Sequence, residues 1–123
     1  MKYALLIHLP AGVDEQFSEA DEQSINQTCD ALTQDVCQAG HYGGSVRLAP
    51  ARTAVRLRMR GNEPIVTDGP FTETKEYLAG FYLLDCETLD EAIAYARRHP
   101  GAPLGTIEIR PVHSQDPISV PRG

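Results

Sequence analysis

The sequence predicts an α+β domain in which two helices cover one face of a β-sheet. Three observations lead there. An apolar run opens the chain, two amphipathic segments carry capping signals, and strand-like alternation fills much of the rest. The 123 residues are the size of one ordinary domain, and 41% hydrophobic content is enough for one core.

"KYALLIHL" reads as a buried strand, apolar on both faces, and a loop carrying Pro10 and Gly12 follows it. Ser18, with Asp21 three residues on, is a capping-box-like helix start. Ile25, Cys29, Leu32 and Val36 then recur at spacings of 4, 3 and 4, one helical face, and Gly40 is the stop. "SVRLAP" and "TAVRLRMR" read as strands joined by a turn at Pro50. The second alternates strictly, with Val55, Leu57 and Met59 on one face and Arg56, Arg58 and Arg60 on the other. "RGNEP" is a hairpin turn, since Gly61 and Asn62 tolerate positive φ, and "IVT" is a short return strand.

"AGFYLLDC" is the next strand. Thr88 and Glu91 make a capping box for a second helix whose apolar face is Leu89, Ala92, Ile93 and Ala96, ended by Pro100 and Gly101. "GTIEIRPV" is the last strand, with Ile107 and Ile109 opposite Glu108 and Arg110. The domain is expected to span residues 1–112, with 113–123 a Pro- and Ser-rich tail.

Two helices cannot cover both faces of such a sheet. The simplest packing places both on one face, the ferredoxin-like split βαβ arrangement. The other face is expected to carry Arg56, Arg58 and Arg110 beside apolar residues of the first strand and of "GFYLLDC". A mixed face of this kind is expected to be covered by a second copy, so that a homodimer encloses a barrel-like space.

The net charge of −6 argues against general nucleic-acid binding, which needs a basic excess. No stretch approaches the roughly 20 apolar residues of a membrane span. The opening apolar run is short, is interrupted by His8 and lacks an A-x-A site, so a cytoplasmic protein is expected. Cys29, Cys37 and Cys86 form no CxxC or metal spacing and read as small buried hydrophobes. Cys29 and Cys37 lie about 12 Å apart along one helix, too far for a disulfide. Phosphate loop, Ser-His-Asp order, zinc spacing and dinucleotide fingerprint are all missing, so no metal and no organic cofactor are expected.

The stretch "VTDGPFTETKEYLAGF", residues 66–81, holds a stiff turn, an aromatic anchor and four charges between strand-like runs. Asp68 can accept bonds from the amides after it, Gly69 supplies backbone freedom, Pro70 fixes φ, and Phe71 can pin the corner to the core. Asp68 is also a candidate general base at a cavity mouth, and Lys75 a candidate partner for it. Arg56, Arg58 and Arg110 are candidate grips for a carboxylate or phenolate, balanced by Glu108 if their strands are neighbours. His8 shares a face with Ala4 and Leu6 and is the candidate acid–base group. Tyr82 is a core residue whose phenol can contact a ligand. His41, His99 and His113 sit at element ends and are expected to be exposed.

The run D-G-P-F, then E-T-K-E, G-F-Y and E-I-R-P-V, together with the opening "MKYALLIHL", resembles the DGPF branch of the YCII-related family. The resemblance covers residues 1–9 and 44–112 well and the first helix in outline. It implies a ferredoxin-like fold that dimerises into an α+β barrel. It also implies either acid–base chemistry on a small aromatic or carboxylated metabolite, of the dehydrochlorinase or lyase kind, or a regulatory, ligand-sensing task beside sigma-70-type transcription factors. The family's histidine belongs in the first helix, whereas residues 18–39 here contain none. The His–Asp pair is therefore not carried over whole, although Asp68 matches the motif's aspartate.

Overall fold

The computed structural model describes residues 1–69, 71 and 74–115. Pro70 and the end of the expected tail, 116–123, lie outside the described residues. Among the described residues six strands and two α-helices follow in the order β1 (Lys2–Pro10), α1 (Glu19–Gln38), β2 (Tyr42–Arg47), β3 (Val55–Arg60), β4 (Glu63–Asp68), β5 (Glu76–Asp85), α2 (Leu89–Arg98) and β6 (Thr106–Pro111).

Four strands form one antiparallel sheet in the order β2-β5-β1-β6. The two strands richest in apolar residues, β1 and β5, are central. Tyr3, Leu5, Ile7 and Leu9 of β1 alternate into the core, where they meet Tyr82, Leu84 and Cys86, Leu32 and Val36 of α1, and Ala92 and Ala96 of α2. Residues of both helices thus share one cluster with one face of the sheet. Leu5, Leu84 and Val36 are almost fully buried, and each such side chain contributes roughly 1.5–3 kcal/mol by leaving water.

Both helices begin where local chemistry dictates. The Asp21 amide donates to Ser18 Oγ at 3.1 Å and the Ser18 amide to Asp21 Oδ2 at 2.9 Å. Thr88 and Glu91 form the same reciprocal box at α2. Gly40 ends α1 with φ of 77°, a left-handed conformation in which a side chain is strained. Arg98 of α2 pairs with Asp35 of α1 at 2.5 Å, tying the helices together.

One expectation fails. Arg56 and Arg58 are not on the open face of the main sheet, because among the described residues β3 pairs with β4 in a separate two-stranded sheet. A tight turn at Gly61 and Asn62 makes that local pairing the short route. Strands β5 and β6 fill the remaining places beside β1. Every residue of β3 and β4 is exposed. The register sets Leu57 opposite Val66, so Val55, Leu57, Met59 and Val66 form an apolar strip, each about 60% exposed. The single chain is not a closed barrel, since β2 and β6 remain edges. Among the described residues no helix is long and apolar enough to cross a membrane.

Candidate cleft at the end of the central strands

The face of the sheet turned away from the helices carries Ala4, Leu6 and His8 of β1. Across from them stand Arg110, Glu108 and Thr106 on β6. On the other side Leu6 faces Phe81 and His8 faces Leu78 after a register shift in β1–β5 pairing. His8 Nε2 lies 3.4 Å from Glu108 Oε1, and Glu108 Oε2 lies 3.8 Å from Arg110 Nε. Glu108 therefore lies beside His8 and Arg110 rather than the hairpin arginines. His8 Nε2 is closed off from solvent, yet no hydrogen bond of good geometry reaches it among the described residues.

Beyond His8 the surface opens into a cleft of about 840 Å³. Its walls include His8, the loop after β1 with Asp14 and Glu15, the 3₁₀ turn Ala51–Thr53, Arg56, Phe71, and Glu76, Tyr77 and Leu78 at the start of β5. Arg56 stacks on Phe71, its guanidinium carbon 3.6 Å from the ring centroid. The Gly69 amide donates to the Ala54 carbonyl at 2.7 Å, which presses the corner after β4 against the start of β3. A Cβ on Gly69 would stand 3.0 Å from the carbonyl oxygens of both Ala51 and Ala54, so the missing side chain allows this approach. Burial raises the Tyr77 phenol above its ordinary value, and the charge of Asp14 adds to the effect. Tyr77 therefore stays a neutral hydroxyl at neutral pH.

The structure gathers His8, Arg56 and Phe71 around one cleft, sets Glu108 beside His8 outside the cleft wall, and leaves Asp68, Arg58, Lys75 and Tyr82 off that wall. Asp68 ends β4 exposed and is not in the cleft wall, so the carboxylate beside His8 is Glu108. Arg58 faces Ile65 within the hairpin. Lys75 is exposed; its carbonyl accepts the Ala11 amide at 2.9 Å, and no pairing of its ammonium with Asp68 occurs among the described residues. Tyr82 points to the helix side, 6% exposed, with its hydroxyl 3.4 Å from Thr33 Oγ1.

Two histidines depart from their expected exposure. His41 Nδ1 bonds the Tyr95 hydroxyl at 2.9 Å, and its other nitrogen lies 3.7 Å from Glu91. His99 is half-buried, edge-on to Tyr82, and burial pulls it down to about 4. The cysteines also divide: Cys86 is buried, Cys29 half-buried and Cys37 exposed. The cleft residues Asp14, Arg52 and Tyr77 carried no sequence signal, because the short turn after β1, the turn before β3 and the start of β5 bring them together.

The comparisons with known proteins now bear on this arrangement. The YCII-related domain matches residues 1–115. The chain belongs to the YCII-related family. An uncharacterized protein of Rhizobium meliloti (strain 1021) is 38% identical over 123 residues, covering 98% of this chain and 99% of the relative. For this YCII-related protein, membership speaks to the whole domain from β1 through β6, so the hairpin and the cleft beside it lie inside the family's domain.

Proposed function

We propose that this YCII-related protein is a small-molecule-binding homodimer of the DGPF branch. In this reading its His8–Arg56–Phe71 cleft takes a small aromatic carboxylate. One observation carries the reading: three residues distant in sequence, a histidine, an arginine and the aromatic ring beneath it, converge on a cleft of about 840 Å³, within the ~300–1,000 Å³ range of ligand pockets. Arg52 and Arg56 suit a carboxylate, while Asp14, Glu15 and Glu76 suit a hydroxyl or amino group elsewhere on the same ligand. A ferredoxin-like pairing of two sheets would cover the open face, where Val46 and Leu78 are exposed, and the hairpin strip with it. The DGPF resemblance favours a regulatory task in the cytoplasm beside a sigma-type transcription factor.

A thermal-shift screen with hydroxybenzoates and aminobenzoates tests this. A ligand at 100 times its dissociation constant stabilises by about 2.7 kcal/mol. Arg56→Ala should remove the shift, and sedimentation should give twice the chain mass. A shift unchanged in Arg56→Ala, or no shift with any aromatic acid, would sink the ligand assignment. A monomer would sink the dimer.

The 3.4 Å approach of His8 to Glu108 favours a second reading, acid–base turnover of the bound ligand. Under it, Glu108→Gln, at a residue outside the cleft wall, abolishes turnover and leaves binding in place.

A further inference from the structure

A second cavity, of about 250 Å³, lies on the opposite face of the sheet, between α1, the helix-side surface of the strands and the turn after α2. It shares no lining residue with the cleft at His8. We propose that this cavity is a binding site for an uncharged, single-ring molecule carrying one hydrogen-bonding group.

Size and lining point to that class. Ile7, Leu9, Phe17, Ile25 and Leu104 supply apolar wall. An engineered apolar cavity of about 150 Å³ holds benzene, so 250 Å³ accommodates a ring with a substituent. Polar groups on the lining include Cys29, Thr33, Ser45, Tyr82 and His99, beside the charged Asp30 and Arg47. Cys29 Sγ lies 3.7 Å from His99 Nε2, and Thr33 Oγ1 lies 3.4 Å from the Tyr82 hydroxyl.

The roles of these groups follow from one backbone contact. The Gly101 amide donates to His99 Nδ1 at 2.9 Å, so Nδ1 carries the lone pair. In the neutral ring the proton is then on Nε2, the nitrogen nearest Cys29. His99 is a donor there and cannot accept the thiol proton, which argues against a Cys–His nucleophile. Burial raises the Cys29 thiol in the same direction.

Charge excludes an anion. Arg47 lines the cavity, but its guanidinium already donates to Asn26 Oδ1 at 2.6 Å and Glu22 Oε2 at 2.8 Å. Asp30 is also on the lining. A carboxylate would enter apolar surroundings beside another carboxylate, without an uncommitted cation.

Alkylation of Cys29, followed by peptide mass spectrometry with exposed Cys37 as internal reference, tests the site. p-Cresol should slow modification of Cys29 and leave Cys37 unchanged, whereas 4-methylbenzoate should protect neither. Ala79→Leu, which adds bulk to the lining, should abolish the protection. Equal rates for Cys29 with and without p-cresol would overturn the proposal, as would protection surviving in Ala79→Leu or equal protection by 4-methylbenzoate. If Ala79→Leu does not fold, Tyr82→Phe replaces it. Losing one hydrogen bond should weaken p-cresol about 3- to 10-fold and leave toluene unaffected, and an unchanged p-cresol affinity would count against the site.

Discussion

Arg56 and Phe71 bind two ends of the hairpin together: the guanidinium carbon at the start of β3 lies 3.6 Å from the centroid of the ring that follows β4. The cleft wall depends on this stack, because both residues line it. Cation–π pairs at accessible sites contribute about 0.5–1 kcal/mol. A double-mutant cycle with Arg56→Ala and Phe71→Leu should return a coupling of that size in urea unfolding. Additive single-mutant effects would show that the two side chains act independently.

Glycine spacing predicts an ordered pair of costs. A Cβ at Gly80 would lie 2.4 Å from the Val46 carbonyl oxygen, so the β2–β5 pairing must shift to admit it. At Gly69 the nearest approaches are 3.0 Å, to Ala51 and Ala54 carbonyls. Overpacking typically costs about 1–3 kcal/mol. Gly80→Ala should fall at or above the top of that range and Gly69→Ala near the bottom, measured by urea midpoint. The reverse order would contradict the register of β2 against β5.

The Glu91 amide donates to Thr88 Oγ1 at 3.3 Å at the start of α2. Thr88→Ala leaves that amide without its cap and should destabilise the protein by about 1 kcal/mol. Ser18→Ala at α1 should cost a similar amount. The two boxes cap different helices, so the double variant should show the sum. A double variant no worse than either single would mean that one helix start is already frayed.

Histidine 99 makes stability fall with acid. In the folded chain burial holds it down to about 4, while in the unfolded chain it titrates near 6.5. As the pH falls, the unfolded state takes up this proton first. The contribution of neutral His99 is therefore fully present above about 6.5 and is lost as the pH drops toward about 4. Urea midpoints at pH 7.5 and pH 4.5 should differ less in His99→Gln than in the parent chain. Equal pH dependence in the two would show that His99 is accessible to protons when folded.

Much of the fold was legible in the residues. The run from Lys2 to Leu9, the Ser18–Asp21 and Thr88–Glu91 boxes, the stop at Gly40 and the turn at Gly61 each name their element, because each is decided within a few residues by hydrogen bonds and φ preference. The candidate site was legible only in pieces. His8 and Phe71 stood out as residue types in unusual places, but nothing local joined them to Arg56 or separated them from Asp68.

The sequence by itself determined where both helices begin, where α1 stops, where the β3–β4 hairpin turns and which side chains alternate along β1, β3 and β6, while β2 and β5 each start about three residues earlier than their residue pattern suggests. Only the tertiary structure decided that β3 pairs with β4 away from the main sheet, which removed Arg56 and Arg58 from its open face. It also decided that Glu108 stands beside His8 and that His99 is half-buried against Tyr82. Alternation tells which residues share a face, but not which strand becomes the neighbour. That choice depends on loop closure and on competition for a place beside β1 and β5, both of which act across the whole chain.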